Sequence, residues 1–532
     1  MQKFLLLGAE AIGQGAIDGG LSGVYAYPGT PSTEITEYIQ ANSLAGERDI
    51  HRKWSSNEKT AYESALGMSY AGKKAMVCMK HVGLNVAADA FINSAITGVN
   101  GGLLVAVADD PSMHSSQNEQ DSRYYGNFAM ITVLEPSNQQ EAYDMAREGL
   151  TLSGQTGLPV MLRITTRLAH SRAGVTCRDV EPENALSFPN DPKQFILLPA
   201  IARMRYKSLI SKQEMLRELS EKSVWNKYIP GTDKSLGIIC CGLAFNYLTE
   251  NFRDTDCPYT VIKIAQYPLP EKMIKRMKEE CDSILVLEEG YPLVEEQVKG
   301  LFDHGTPVRG RLDGALPRDG ELNPDHVARA LGQEIRSGRA VPEFVANRPP
   351  ALCQGCGHTD AYTVMNEVLA DYGKGHVFSD IGCYTLGALP PFETISSCVD
   401  MGASITMAKG AAEAGLFPAV AVIGDSTFTH SGMTGLLDAV NEKSNITIVI
   451  SDNESVSMTG GQDSSAYGRI ESICKGIGVD PAHIRVMVPL KKNHDEMVRI
   501  FREELAYNGV SVIIPGRECI QRATRRKREN RN

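Results

Sequence analysis

The stretch Pro418–Ser457 reads PAVAVIGDSTFTHSGMTGLLDAVNEKSNITIVISDNESVS. It begins with an apolar run of strand length, Ala419–Ile423, continues with apolar residues at helical spacing, and then has a second, β-branched run, Asn445–Ile450. This strand–helix–strand pattern predicts a right-handed parallel crossover. The first run leads into an acidic turn at Asp425, and the second leads into one that ends at Asn453. Both turns are therefore expected at the carboxyl edge of one sheet, where open α/β sheets bind ligands.

The two turns carry donors that suit a magnesium ion and a diphosphate. Asp425 and Asn453 each offer a side-chain oxygen, and the carbonyl group of Ser455 offers a third. Mg²⁺ takes about six oxygens in an octahedral array and usually binds one or two carboxylates, with phosphates and waters completing the shell. The backbone N–H groups of a turn at a helix start, here Gly424 to Ser426, bind anions. The alternative is an ordinary Rossmann-like βαβ unit with acidic turns.

The bulk composition is that of a globular protein. The 532 residues predict roughly three domains at the usual domain size. Contents of 42% hydrophobic and 22% charged residues lie in the ordinary range. The net charge of −10 argues against general nucleic-acid binding, which needs a basic surface.

The sequence also bears on location. No apolar run approaches the length of about 18 residues that spans a bilayer, so no membrane association is predicted. The start, MQKFLLLGAEAIGQGA, has only a short apolar segment before Glu10 and indicates a first strand rather than a signal peptide. The twelve cysteines are scattered, and several, including Cys78, Cys240 and Cys241, lie in apolar runs. This usage favours a cytoplasmic protein over a disulfide framework.

Near-continuous apolar runs, such as Ala75–Met79 and Gly102–Asp110, alternate with helical patterns along the chain. Such runs are typical of strands that are buried on both faces of a parallel sheet. The pattern predicts an α/β fold with three domains. The predicted divisions are 1–180 for the first domain, 181–231 for a connecting segment, 232–332 for the second domain, 333–350 for a linker, 351–520 for the third domain and 521–532 for a basic tail that is expected to be disordered.

Several longer motifs resemble the thiamine-diphosphate-dependent 2-oxoacid:ferredoxin oxidoreductase family, and within it the large subunits that act on indolepyruvate. The resemblance covers nearly the whole chain through Cys519. The family's metal motif begins Gly-Asp-Gly and ends in an Asn pair, whereas this chain has Gly-Asp-Ser and Asp-Asn. The motifs are YPGTPSTEI (27–35), KHVGLNVAADAF (80–91), VADDPSMHSSQNEQDSRYYG (107–126), QYPLP (266–270), CQGCGH (353–358), DIGCYTLGALPP (380–391), MGASI (401–405) and GDSTFTHSG (424–432).

The resemblance implies three doubly wound domains. The first and third are of thiamine-diphosphate-binding type, binding the pyrimidine and the diphosphate respectively, and the second is transketolase-C-terminal-like. Thiamine diphosphate and Mg²⁺ are the implied cofactors, with the ion held by Asp425, Asn453 and Ser455. The glycine-rich turns among the implied residues would let the backbone approach the diphosphate. The residues expected to bind thiamine diphosphate are Glu58, Gly382, Cys383, Gly402, Gly424, Asp425, Ser426 and Asn453.

Two residues of the first domain match catalytic positions of the family. Glu58 matches the glutamate whose carboxyl group contacts N1′ of the aminopyrimidine and promotes loss of the proton from the thiazolium C2. Its alternative role is in a helix capping box with Ser55, three residues earlier. Thr30 matches the position whose hydroxyl group approaches the reacting carbon, and its alternative is a turn or cap threonine. The segment after this turn predicts a helix with Ser32 or Thr33 as N-cap.

Cys353 and Cys356 are the two cysteines at metal-ligand spacing. On spacing alone they fit half a zinc site, a redox pair or half an iron–sulfur site, and no second close pair of zinc ligands is near. The resemblance adds Cys383 and Cys519, so that four thiolates complete a [4Fe–4S] cluster. The alternative is that Cys383 lines the cofactor site, Cys519 is incidental and no cluster binds.

Polar residues gather just past the strand ends of the first domain. A 2-oxoacid carboxylate requires positive groups or N–H donors, and His81, His114 and Arg123 are the candidates. Each alone is more often a solvated loop residue.

The resemblance implies oxidative decarboxylation of an aryl 2-oxoacid of the indolepyruvate or phenylpyruvate type, with coenzyme A taking the acyl group and ferredoxin taking the electrons. It also implies a hetero-oligomer with a small subunit of about 200 residues, the size of one domain. The chain stops near the point where the family's two-cluster ferredoxin domain usually begins. The basic tail would then dock an acidic ferredoxin or remain a solvated tail. Two other functions stay open, a non-oxidative 2-oxoacid decarboxylase and a catalytically idle electron-transfer or scaffold subunit.

Overall fold

The computed structural model describes residues 2–191, 193–300, 305–335, 338, 340–346 and 350–529. The chain divides into two compact units, Met1–Arg339 and Ala340–Asn532. Parts of the predicted linker 333–350 and the last three residues of the predicted tail lie outside the described residues. The prediction that the chain has three domains remains a prediction, and its first two domains fall within the first unit.

The strands are mostly short and apolar, as expected for a buried sheet. They are β1 (Lys3–Leu7), β2 (Gly23–Ala26), β3 (His51–Trp54), β4 (Ala75–Lys80), β5 (Leu103–Asp109), β6 (Thr132–Leu134), β7 (Val160–Thr165), β8 (Arg172–Thr176), β9 (Lys227–Ile229), β10 (Asp233–Cys241), β11 (Tyr259–Ile264), β12 (Gln266–Tyr267), β13 (Ile284–Leu287), β14 (Val308–Arg309), β15 (Val377–Ser379), β16 (Ser397–Cys398), β17 (Val420–Gly424), β18 (Ile446–Ser451), β19 (Ser455–Val456), β20 (Gln462–Asp463), β21 (Ile484–Met487) and β22 (Val510–Pro515).

The helices connect these strands. They are α1 (Gly8–Asp18), α2 (Thr33–Ala41), α3 (Ser43–Glu47), α4 (Glu58–Tyr70), α5 (His81–Thr97), α6 (Arg123–Phe128), α7 (Gln139–Thr156), α8 (Thr166–Ala169), α9 (Pro199–Ser211), α10 (Gln213–Glu221), α11 (Ala244–Asn251), α12 (Glu271–Glu280), α13 (Leu293–Lys299), α14 (Pro324–Ala330), α15 (Gly357–Leu369), α16 (Ala403–Glu413), α17 (Asp425–Thr427), α18 (Met433–Asn441), α19 (Ile470–Ile477), α20 (His494–Ala506) and α21 (Ile520–Glu529).

The first unit contains two larger sheets. In its described residues one sheet has the order β12-β6-β7-β5-β4-β2-β3 and the other has the order β14-β13-β10-β11-β9. The inner strands β4, β5 and β7 are parallel and buried at every residue, because helices cover both faces. The strand β12 comes from the predicted second domain and pairs antiparallel with β6 of the predicted first domain. The two predicted domains therefore share a sheet edge.

The second unit is a doubly wound parallel sheet. Its order is β16-β15-β17-β18-β22-β21 among the described residues, with every pair parallel. Alternate residues of β17 enter two different cores, Ala421 and Ile423 one, and Val420 and Val422 the other. This alternation follows from the period of two residues in a strand. The predicted α/β fold class is thus confirmed, including the parallel strand–helix–strand crossover.

Two features differ from the sequence-based expectations or extend them. The basic tail was expected to be disordered, which is wrong for its described part, because Ile520–Glu529 forms the helix α21. The connecting segment 181–231 contains helices α9 and α10, and its strand β9 pairs with β11. Within the described residues, no helix has both the length and the apolar character required to cross a membrane.

Candidate functional site

Glu58 is the first residue of the helix α4. The preceding residue, Asn57, is the N-cap, and its side-chain oxygen accepts a hydrogen bond from the backbone N–H of Thr60 at 2.8 Å. The capping box is therefore formed by Asn57 and Thr60, and the alternative box of Ser55 with Glu58 is wrong. An asparagine directly before a helix is as good a cap as serine, and the sequence alone does not rank the two.

The side chain of Glu58 is buried, with 5% of its surface exposed. It packs against Gly83 in the helix α5, where an added Cβ atom would lie 2.6 Å from Glu58 Oε1 and from its Cγ. Such a distance is shorter than any ordinary van der Waals contact. The glycine of the KHVGLN motif thus leaves the space that the Glu58 carboxyl group occupies.

Thr30 lies in a half-buried turn between β2 and α2. The turn is held by its own residues, since the hydroxyl group of Ser32 donates to the Gly29 carbonyl at 2.6 Å and the Gly29 N–H donates to Thr33 Oγ1 at 2.9 Å. Ser32 is the N-cap residue, as predicted. On the outer side, Ser115 Oγ lies 3.4 Å from the Thr30 carbonyl oxygen.

Lys80 was not singled out by the sequence and lies against the same turn. Its ammonium group donates to the carbonyl oxygen of Ser115 at 2.7 Å and lies 3.8 Å from Asp110 Oδ2. Burial lowers the pKa of Lys80 to about 8, although the charge of Asp110 opposes this shift. The sequence does contain a signal for this residue, since Lys80 ends the apolar strand AMVCMK. Burying a cation there without a partner would cost free energy, so a nearby acceptor could have been expected.

The predicted substrate residues lie in different environments. Arg123 is 1% exposed, and its guanidinium group donates to Asp121, to the carbonyl of Glu289 and to Glu288. Its hydrogen-bonding groups are thus engaged inside the first unit. His81 is buried with Nε2 3.3 Å from Asn118 Oδ1, and its Nδ1 has no hydrogen-bond partner in the described part of the chain. His114 is half exposed and lies 3.3 Å from Glu321.

The two acidic turns of the second unit lie side by side. Gly424 of β17 pairs with Ser451 of β18, so Asp425 and Asp452 directly follow paired residues. Asp425 is 2% exposed, and among the described residues its Oδ2 atom has no hydrogen-bond partner. Burial, together with the charge of Asp452, raises the pKa of Asp425 to about 7. A buried carboxylate oxygen beside a second carboxylate fits a site for a divalent cation.

In the second turn, side-chain oxygens accept hydrogen bonds from the turn's own backbone N–H groups. Asn453 Oδ1 accepts from the N–H of Ser455 at 3.1 Å, and Asp452 Oδ1 accepts from the N–H of Glu454 at 3.2 Å. Both proposed side-chain ligands and the Ser455 carbonyl group therefore belong to two neighbouring turns. Asp452 was not predicted as a site residue, and its like-charge contact with Asp425 is visible only in three dimensions.

The predicted glycines are required by packing. Gly382 and Gly424 both face the ring of Tyr384, and an added Cβ atom would lie 2.2 Å and 2.5 Å from its Cε1 atom. Gly402 has a φ of +94°, which favours glycine, and its Cβ would lie 2.5 Å from Ser431 Cβ. The hydroxyl group of Tyr384 donates to the buried Asp380, whose pKa is raised to about 7 by burial. These contacts fix the turns beside the metal motif.

The four predicted cluster cysteines line one cavity of about 110 Å³, which Asp452 and Asn453 also line. Burial raises the pKa of Cys383 to about 12, and the nearby thiolates of Cys519, Cys356 and Cys353 add to this shift. Within the described residues, no three acidic, histidine or cysteine side chains are placed to hold a single metal ion. Four thiols around one cavity are the number of ligands that a [4Fe–4S] cluster requires.

Two family models match parts of the chain, and one solved structure has a similar fold over part of it. Residues 14–208 match the family described as pyruvate flavodoxin/ferredoxin oxidoreductase, thiamine diP-binding, and residues 380–514 match the C-terminal TPP-binding domain of thiamine pyrophosphate enzymes. A 2-oxoglutarate:ferredoxin oxidoreductase from Magnetococcus marinus, solved with 2-oxoglutarate, coenzyme A and succinyl-CoA bound, is 16% identical, covers 62% of this chain and 65% of its own, and has a TM-score of 0.49.

Relatives named indolepyruvate oxidoreductase subunit IorA match almost the whole chain. The protein from Archaeoglobus fulgidus is 38% identical over 99% of this chain and 88% of its own length. The proteins from Pyrococcus abyssi and Methanothermobacter thermautotrophicus are 36% and 35% identical, each over 97% of this chain and over 86% and 87% of their own. The chain therefore belongs to the indolepyruvate oxidoreductase IorA family and is a subunit of a thiamine-diphosphate-dependent 2-oxoacid oxidoreductase.

Proposed function

We propose that the protein oxidatively decarboxylates aryl 2-oxoacids of the indolepyruvate and phenylpyruvate type to acyl-coenzyme A and passes the electrons to ferredoxin. One observation carries the oxidative part of this proposal. The cavity lined by the four cysteines is also lined by Asp452 and Asn453 of the turn 452–455, which we call the metal turn. A redox centre in that cavity would adjoin the proposed magnesium and diphosphate site, whereas a non-oxidative decarboxylase requires no thiols there.

The chain's own residues have distinct tasks toward the organic cofactor. Thiamine diphosphate, when bound, supplies a nucleophilic carbon and an electron sink for loss of CO₂. Glu58 would hold a proton at N1′ of the pyrimidine, and its burial against Gly83 would keep water away from that contact. Thr30 would place its hydroxyl group near the reacting carbon.

The second unit would hold the diphosphate through Mg²⁺. Asp425, Asn453 and the carbonyl of Ser455 are the proposed ligands of the ion. Within the described part of the chain the Oδ2 atom of the buried Asp425 has no hydrogen-bond partner. This supports the assignment, because a cation there would offset the repulsion from Asp452. The backbone N–H groups of Gly424 and Ser426 would face the phosphate oxygens.

The proposed cluster is ligated by Cys353, Cys356, Cys383 and Cys519. A bound [4Fe–4S] cluster supplies single-electron transfer. Overall, the bond between the keto carbon and the carboxylate breaks, CO₂ leaves, and a thioester forms with coenzyme A. The two electrons released by this oxidation go one at a time to ferredoxin, and the proton of the coenzyme A thiol goes to solvent.

The substrate carboxylate requires a cationic or N–H partner. His81 and His114 remain candidates, and Lys80 joins them because its ammonium group lies beside the Thr30 turn. Arg123 is less suited, because its guanidinium group is already paired with buried carboxylates. We further propose a cytoplasmic hetero-oligomer with a small subunit of about 200 residues, the size of one domain.

Anaerobic co-purification with the small subunit tests the proposal. We expect iron and acid-labile sulfide in the preparation, and ferredoxin reduction that depends on coenzyme A and is faster with indolepyruvate or phenylpyruvate than with pyruvate. Release of CO₂ without iron or ferredoxin reduction would instead show a non-oxidative decarboxylase. Glu58→Ala should abolish turnover while cofactor still binds, and full turnover of this variant would show that the chain is a catalytically idle subunit.

A further inference from the structure

The C-terminal helix α21 does more than carry positive charge. We infer that Arg522 and Arg525 clamp the loop that follows Asn453, and so position the metal turn and Cys519 together. This inference rests on the proposed function, because it assigns the loop a role in binding Mg²⁺ and thiamine diphosphate. It gives the described part of this segment, which was expected to be disordered, a role within the second unit.

The backbone that leads into α21 runs along the metal turn. The N–H of Arg517 donates to the Asp452 carbonyl at 2.9 Å, and the N–H of Cys519 donates to the Asn453 carbonyl at 3.0 Å. The N–H of Asp452 in turn donates to the Pro515 carbonyl at 3.1 Å. Cys519, a proposed cluster ligand, is therefore hydrogen-bonded directly to Asn453, a proposed magnesium ligand.

The arginines of α21 then reach across to the loop 454–463. Arg522 donates from Nη1 to the carbonyl of Glu454 and from Nη2 to Asp463 Oδ1 at 2.5 Å. Arg525 Nη1 donates to the carbonyl of Gly460 at 2.9 Å. A guanidinium group presents several donors in a rigid plane, so one side chain joins separate points of a loop.

The carbonyl contacts, rather than the ion pair, are expected to hold the loop. The carboxylate of Asp463 has 84% of its surface exposed, and an ion pair so open to water contributes little. Glu454, in contrast, has a φ of +63°, a conformation that residues with a Cβ rarely adopt. Arg522 thus bonds the carbonyl group of a strained residue that lies directly before Ser455, the proposed carbonyl ligand.

The orientation of the Ser455 carbonyl group depends on this contact. Without Arg522 the segment around Glu454 can relax toward ordinary backbone angles, and the next peptide group turns with it. Mg²⁺ demands near-ideal octahedral geometry, so a turned carbonyl group weakens binding of the ion and of the diphosphate that it holds. Arg522 and Arg525 are therefore positioning residues for the metal turn.

Calorimetric titration of thiamine diphosphate in the presence of Mg²⁺ tests the clamp in the co-purified complex. Arg522→Met keeps the aliphatic stem and removes the donors, and we expect its Kd to rise about tenfold, which corresponds to about 1.4 kcal/mol. The magnesium concentration for half-maximal binding should rise in parallel. Arg528→Ala, on the exposed side of the same helix, is the matched control and should bind as the parent does.

Two further variants make the outcome decisive. Asp463→Asn removes the exposed ion pair alone and should leave Kd unchanged. Arg525→Met should raise Kd by a smaller factor, and it carries the test if Arg522→Met does not fold. An unchanged Kd in a folded arginine variant overturns the clamp, whereas absence of binding by the parent complex overturns the proposed function instead.

Discussion

Two buried carboxylates, Asp121 in the first unit and Asp425 in the second, have pKa values that are shifted in opposite directions. In the first unit Arg163 Nε lies 2.6 Å from Asp109 Oδ2, and Asp121 contacts both Arg163 and Arg123. Burial acts to raise the pKa of Asp121, but the charges of the two arginines outweigh it and lower that pKa. In the second unit the pKa of Asp425 is raised to about 7 by burial and by another carboxylate.

This difference separates stability from function. A buried carboxylate that is paired with arginine belongs to the folded framework, and removing its partner leaves an uncompensated charge. A buried carboxylate that faces a second carboxylate destabilises the folded protein when no cation is bound. A bound cation offsets this repulsion and so stabilises the protein. The charge of Asp121 is thus balanced by arginines within the first unit, and we propose that the metal of the cofactor balances that of Asp425 in the second.

The largest effect is expected for Arg163→Met in the first unit. It leaves the buried Asp109 without its closest guanidinium partner and removes the nearer of two from Glu135, which should cost about 3–5 kcal/mol of unfolding free energy. Arg178→Met, which removes a half-exposed arginine from its ion pairs, is the control and should cost at most about 1 kcal/mol. Denaturant unfolding measures both, and equal losses would mean that burial does not decide the value of these pairs.

The next effect is expected for Gly83→Ala. The added methyl group displaces the Glu58 carboxyl group, and a shift of about 1 Å in a catalytic group lowers the rate by up to about 100-fold. Gly67→Ala is the matched control, because a Cβ there has no atom within 4 Å. Steady-state ferredoxin reduction gives kcat for each. A kcat of Gly83→Ala equal to that of the control would show that the packing is irrelevant to Glu58.

A smaller, pH-dependent effect is expected at Glu288. Burial raises its pKa from 4.5 to about 7, although Arg123 opposes this, so the folded protein binds this proton more tightly than the unfolded chain. Its stabilising contribution is present below pH 4.5 and is lost as the pH rises through about 7. Unfolding free energies should fall by up to about 3 kcal/mol over this window, and Glu288→Gln should flatten the profile. Glu279→Gln, at an exposed position, should leave the profile unchanged. A parent protein whose unfolding free energy does not change over this pH range would contradict the raised pKa of Glu288.

Much of this organisation was predictable where local pattern sets the structure. The runs around Asp425 and Asn453 predicted neighbouring parallel strands, and the register of Gly424 with Ser451 confirms this. The four cysteines were chosen through the family resemblance, and the structure places them around one cavity. Glu58 opens a helix as expected.

The remainder depends on contacts between residues that are distant in the sequence. Arg123 is paired with Glu288, which lies 165 positions later, and no local pattern reveals that partner. The sequence of the basic tail predicts disorder because its charges repel one another. In the structure, carbonyl groups of the loop after Asn453 accept hydrogen bonds from its arginines. Lys80 is not predicted as a site residue because a lysine at a strand end is usually solvated. In the structure its ammonium group instead contacts the Ser115 carbonyl and Asp110.

The most direct test of the central claim is the thermal midpoint of the parent and Asp425→Asn, each with and without Mg²⁺ and thiamine diphosphate. Without cofactor the variant should be more stable than the parent at neutral and higher pH, because it lacks the buried charge. With cofactor only the parent should gain stability. A variant that is less stable without cofactor, and that still gains stability with it, would contradict the account.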